Sequence, residues 1–226
     1  MLLLSQSSSP FTPRGELARF VFYMSSQTKV ERFTLFIDAQ NFYNSARRAF
    51  FSDSASSACG QIKPSELANL IASRNPPGIV RQLNEIRIYT GIPDGSKEPQ
   101  THSSYTKQSN AWKMDGATVI SRPLRYLPDW PNSRAQQKGV DVAIAVDLIA
   151  YAIDCQHDVG VLASLDTDLV PAVEFIQNRP DNNCKIEVAG FDGGKHNMRA
   201  LRISNTWCYW INKTDYDKIA DLTSYR

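Results

Sequence analysis

Two apolar runs, each followed closely by an aspartate, constrain this chain more than any other feature. Arg32–Asp38 (RFTLFID) is rich in β-forming residues, does not alternate, and ends in a carboxylate. Asp158–Ala163 (DVGVLA) is of the same kind, and Asp166 lies just beyond it. An apolar run without alternation suits a strand buried on both faces, the habit of parallel sheets covered by helices. Parallel strands cannot be joined by tight turns, so helical crossovers must lie between them.

The rest of the sequence supplies those crossovers. Helical composition is read over Gln40–Phe51, and again over Pro64–Ser73 after a Ser-rich loop at Ser52–Gly60. A proline at a first helical turn costs no hydrogen bond, which supports the second start. Leu83–Thr90 reads as a strand, Pro99–Met114 as a polar helix and Ala117–Pro123 as a strand. After the loop Leu124–Gln137, the stretch Gly139–Ile153 is apolar on almost every side and is expected to be a buried helix. A helix at Leu169–Arg179, a strand at Lys185–Ala189, a helix at Lys195–Ile203 and a strand at Trp207–Ile211 complete the series. This alternation predicts an α/β fold, a three-layer α/β/α sandwich with a mainly parallel sheet. The expected domain spans residues 31–212, with a loose extension over 1–30 and a polar tail over 213–226.

Composition narrows the function classes. No apolar run approaches the roughly 20 residues that cross a bilayer, so no membrane association is expected. The net charge of +2 permits a nucleic-acid partner without announcing one. The four cysteines, Cys59, Cys155, Cys184 and Cys208, are scattered and include no CxxC pair, as expected of reduced thiols in a cytoplasmic protein. The three histidines lack zinc-ligand spacing.

What remains for chemistry is carboxylate. Asp38 and Asp166 both fall at the carboxyl ends of strands, the edge where open parallel sheets bind ligands. Asp168 follows at the start of the next helix, and Asp141 lies in the first turn of the apolar helix, after Lys138 and Gly139. Clustered carboxylates repel one another unless a cation neutralises them, and oxygen ligands suit Mg²⁺ or Mn²⁺. Such ions support phosphodiester cleavage without His or Cys. Each acid also has a structural reading: Asp168 as a helix cap, Asp141 as a charge at the positive end of a helix dipole, Asp38 as a cap. Asp147, about 120° around the helix from Asp141, points elsewhere and reads as structural.

The segments FIDAQNFYNSAR at Phe36–Arg47, KGVDVAIAVDLI at Lys138–Ile149, SLDTDLVPAVEFI at Ser164–Ile176 and VAGF at Val188–Phe191 resemble, in order, the NYN domain, a branch of the PIN-like nuclease superfamily. The resemblance implies a PIN-like sandwich whose aspartates bind Mg²⁺ or Mn²⁺ to cleave RNA. Carried over position by position, it assigns the metal to Asp38, Asp141, Asp166 and Asp168, with Asn41 in support and Lys138 at a phosphate. Two positions depart from the family pattern: Leu165 stands where Gly is common, and Asn205 where Asp is frequent.

The leading reading is therefore a metal-dependent ribonuclease acting on RNA, expected to be single-stranded. Lys107, Arg122, Arg125 and Lys138 are the foremost of several basic residues that can meet phosphates, and Tyr105, Trp112, Tyr126 and Trp130 can stack bases. A second reading is a catalytically weak RNA- or protein-binding regulator on the same fold, which leaves protein partners or a homo-oligomer open. A third takes Asp166–Val170 (DTDLV) as the nucleophile loop of a haloacid-dehalogenase-like phosphatase. Too little chain follows it for the further motifs that reaction needs.

Overall fold

The computed structural model describes residues 29–194, 203 and 206–226. Its centre is one sheet of six strands, β1 (Lys29–Asp38), β2 (Ile79–Ile92), β3 (Ala117–Pro123), β4 (Val159–Ala163), β5 (Lys185–Phe191) and β6 (Cys208–Ile211). Their order is β3-β2-β1-β4-β5-β6, and every neighbouring pair is parallel. The chain thus works outward from β1 to β3, then returns to the centre to lay β4 beside β1. The sheet's strand order reverses there, opening a crevice at the carboxyl ends of β1 and β4.

Helices α1 (Ala39–Phe50), α2 (Pro64–Ala72), α3 (Pro99–Met114), α4 (Val140–Ile153), α5 (Val170–Gln177) and α6 (Lys213–Ile219) complete the described elements. Alternate side chains of a strand face opposite ways, so one strand can feed two cores. Phe33, Leu35 and Ile37 of β1 join Phe42 and Ala46 of α1, Leu67 and Ile71 of α2, and Tyr216 and Ile219 of α6. Phe36 of the same strand faces the second core, with Ile144 and Leu148 of α4 and Val173 and Ile176 of α5. Two cores on opposite faces of a parallel sheet make the expected three-layer sandwich.

Several elements differ from the sequence reading. Strand β2 starts at Ile79 rather than Leu83, because Arg81 is buried there between Glu31 and Glu187, at 3.2 and 2.8 Å. Helix α4 is not buried all round: Val142, Val146 and Ile153 are exposed, while Val140, Ile144 and Leu148 pack on the sheet. The helix expected at Leu169–Arg179 is preceded by a 3₁₀ turn at Thr167–Leu169. Residues 213–226, expected as a polar tail, carry α6, which is capped reciprocally by Asn212 and Asp215 and contributes Tyr216 to the core. Residues 1–28 of the expected extension, Asn205, and the helix expected at Lys195–Ile203, but for Ile203, lie outside the described residues.

Candidate metal centre

Three carboxylates meet at the crevice. One oxygen each from Asp38, Asp141 and Asp166 can be chosen so that all lie within 4.8 Å of one another. They come from three separate pieces of chain: the last residue of β1, the first turn of α4, and the turn after β4. Two of the three are held by capping. Asp38 Oδ1 accepts the Asn41 N–H at 3.0 Å, starting α1, and Asp166 Oδ1 accepts the Asp168 N–H at 3.0 Å, starting the 3₁₀ turn. An N-cap residue stands in extended backbone with its side chain turned back over the helix start, so the carboxylates are fixed rather than free to swing.

The loops are tied to one another as well. The side-chain oxygen of Asn41 accepts the Leu165 N–H at 3.2 Å, joining the start of α1 to the loop after β4. Buried Ser164 lies between two of the acids: its hydroxyl donates to Asp38 Oδ2 at 3.4 Å and accepts the Asp166 N–H at 3.1 Å. Asp141 is positioned through its helix. Asp147, six residues along α4, takes the Arg87 guanidinium at 2.7 Å and the Tyr89 hydroxyl at 2.8 Å, both from β2. Asp147 is therefore structural, as its place on the helix implies.

The electrostatics are those of crowded carboxylates. Asp38 is 3 % exposed, and burial, together with the charges of Asp141 and Asp166, pushes its carboxyl up to about 6. Burial and the charges of Asp166 and Asp168 raise Asp141 as well. Among the described residues no Lys or Arg forms an ion pair with any of these acids, whereas buried Glu31 and Glu187 share Arg81, and Asp215 pairs with Arg74. An all-oxygen set of converging, unpaired carboxylates fits a hard divalent cation such as Mg²⁺ or Mn²⁺.

Asp168 is close enough for its charge to act on Asp141, but it is not in the set that can share one ion. Nor does its side chain cap the helix; Asp166 does that. The four basic residues named from sequence are all exposed and none is ion-paired among the described residues. Arg122 is the penultimate residue of β3, beside Gly91, Arg125 pairs its backbone with Gln136, and Lys138 precedes Gly139, so these three lie toward the sheet's carboxyl edge. Lys107 sits midway along α3. Of the aromatic residues, Tyr126 and Trp130 pack on each other with centroids 4.9 Å apart, while Tyr105 and Trp112 line a cleft with Ile37 and Ala39.

Two contributors escaped the sequence reading. Ser164 directly follows β4, and only its nearness to Asp166 hinted at a role. Gly190 explains the departure at Leu165: a Cβ on Gly190 would come within 2.9–3.1 Å of the Leu165 side chain. The larger residue is thus accommodated by a glycine on the neighbouring strand.

A parallel sheet with helices on both faces and three converging acids at its reversal point define an α/β protein with a candidate cation site at the sheet's carboxyl edge. The sequence model of the NYN domain matches residues 32–210, and the chain belongs to that family, whose fold is PIN-like and nuclease-type. Among solved structures, a crystal structure of a protein of unknown function from Vibrio parahaemolyticus is similar, at a TM-score of 0.55 and 20 % identity, over 87 % of this chain and 99 % of that one. At that identity the likeness concerns the fold. No curated protein matches.

Proposed function

We propose that the protein is a metal-dependent ribonuclease. The observation that carries the reading is the convergence of Asp38, Asp141 and Asp166, from three distant segments, within 4.8 Å at the crevice of a nuclease-type fold. In this reading those residues hold Mg²⁺ or Mn²⁺, and Asp168 bears on the site through its charge or through water. A divalent cation in such a cluster supplies water activation and stabilisation of the charge that develops on a phosphoryl group.

The chain's own residues do the rest. Asn41 and Ser164 lock the carboxylates in register, so that little reorganisation is needed when substrate arrives. Lys138, Arg122 and Arg125 meet backbone phosphates, which sets affinity rather than sequence choice. Lys107, exposed midway along α3, meets a longer strand in this reading. The test is cleavage of single-stranded RNA with Mg²⁺ or Mn²⁺ present, with EDTA, and with Asp38→Asn. Cleavage that requires the ion and disappears in Asp38→Asn supports the reading. RNA binding that survives Asp38→Asn, with no cleavage by either protein, would instead identify a regulator.

A further inference from the structure

Beside the aspartates the carboxyl edge of β1 and β2 opens into a cleft of about 420 Å³. Its lining adjoins the candidate metal centre in sequence. Ile37 and Ala39, which flank Asp38, line it, and so does Gln137, immediately ahead of Lys138. The chemistry changes abruptly between the two places. Among the described residues no acidic side chain lines the cleft, and the one charged lining side chain is that of Arg226.

The walls combine aliphatic side chains such as Ile37, Ile62 and Ile88 with aromatic rings and uncharged polar groups. Tyr105 and Trp112 come from α3, Tyr43 from α1, and Gln61, Gln108 and Gln137 supply amides. The rings are set in advance: the Tyr105 hydroxyl is hydrogen-bonded to Ser121, and Trp112 packs against the core beneath it. Gln61 donates its amide N–H to the Ser57 carbonyl at 3.2 Å, while its side-chain oxygen is buried and accepts no hydrogen bond.

A single phosphate would ask for several cations, and a metal for several carboxylates; the cleft offers neither set. It suits a flat, uncharged ring with donors and acceptors on its rim, and its volume lies within the roughly 300–1,000 Å³ of small-ligand sites. We propose that the cleft takes one unpaired nucleobase of the strand whose backbone lies at the aspartates. The inference rests on the nuclease reading for its placement, and it adds a selection: a base locked in a duplex cannot enter without being unstacked and flipped.

The experiment compares a short single-stranded RNA with a strand of the same length built of abasic ribose units, both fluorescently labelled, binding to the full chain in EDTA. Base stacking on aromatic side chains predicts that the base-bearing strand binds about tenfold tighter or more. Ser104, also on the cleft wall, is the place to block it. Ser104→Trp should bring the base-bearing strand down to the abasic level and leave the abasic strand unchanged, and the milder Gln108→Ala should lower the preference part of the way. Equal binding of the two strands by the wild-type protein, at any strength including none, overturns the assignment, as does a preference untouched in both variants. Because no cleavage is read, the two proposals fail separately. Base-dependent binding by a protein that never cleaves removes only the nuclease reading, and cleavage with no base-dependent binding removes only the cleft.

Discussion

Replacing Asp38 with asparagine should stabilise the metal-free protein while destroying its response to metal. The side chain is almost wholly buried, and its carboxyl is raised from 3.8 to about 6 by burial and by its two acidic neighbours. A raised carboxyl pKa means that the folded state disfavours the ionised form. The penalty is complete above about pH 6 and fades as the pH falls toward 4. A shift of about two units corresponds to about 3 kcal/mol at neutral pH. Asparagine keeps an oxygen for the Asn41 N–H and caps a helix as well as aspartate does, so the substitution removes the charge but not the cap. In a chain of this size that amounts to a rise in Tm of about 5–10 °C for metal-free protein at pH 7.

The assay is thermal unfolding of both proteins at pH 7 and pH 5, in EDTA and in saturating Mn²⁺. The wild type should be stabilised by the ion, by about 3 kcal/mol at a hundredfold excess over Kd. Asp38→Asn should be more stable than wild type in EDTA at pH 7, keep only about half of that advantage at pH 5, and gain little from Mn²⁺. An Asp38→Asn protein less stable than wild type in EDTA at pH 7, with a wild type indifferent to metal, would refute the reasoning. Asp38 would then be an ordinary cap in a site that stores no repulsion.

Other perturbations test how the site is held. Gly190→Ala should push the Leu165 side chain, displace the loop bearing Asp166, and weaken Mn²⁺ affinity by calorimetry, while Gly190→Ala combined with Leu165→Gly should restore it. Asp147→Ala removes the carboxylate that takes Arg87 and Tyr89 but leaves Arg87 its Glu85 and Tyr151 partners, and should cost about 1–2 kcal/mol in urea unfolding. If Lys138 and Arg122 contact phosphates, changing each to alanine should lower the slope of log affinity against log salt by about 0.7 for a single-stranded RNA.

Much of the fold was legible because its strands are buried on both faces and its helices carry their own punctuation. Pro99 at the start of α3 and Gly116 after its end fix that helix and the following strand where the sequence reading put them. Strand β2 was cut short because a charged residue in a strand suggests its end, whereas Arg81 is neutralised by glutamates from β1 and β5, far apart in sequence. Helix α6 was hidden in KTDYDKI, where only Tyr216 and Ile219 mark an inner face, although Asn212 and Asp215 spell a capping box. The exposed valines of α4 show the opposite failure: an apolar helix need not be covered on every side.

The candidate site divides in the same way. That Asp38 and an acid after β4 would share an edge follows from strand order and was readable. Which of Asp166 and Asp168 points inward depends on a single 3₁₀ turn, and no period in the sequence encodes it. Ser164 and Gly190 act through contacts between loops and strands, a relation that appears only once β4 and β5 lie side by side.

The most direct measurement is the anomalous scattering of a crystal soaked in Mn²⁺. One peak bonded at about 2.0–2.3 Å to oxygens of Asp38, Asp141 and Asp166 is the expected result. Ordered carboxylates with no peak between them, or an ion bound only elsewhere on the molecule, would contradict the account.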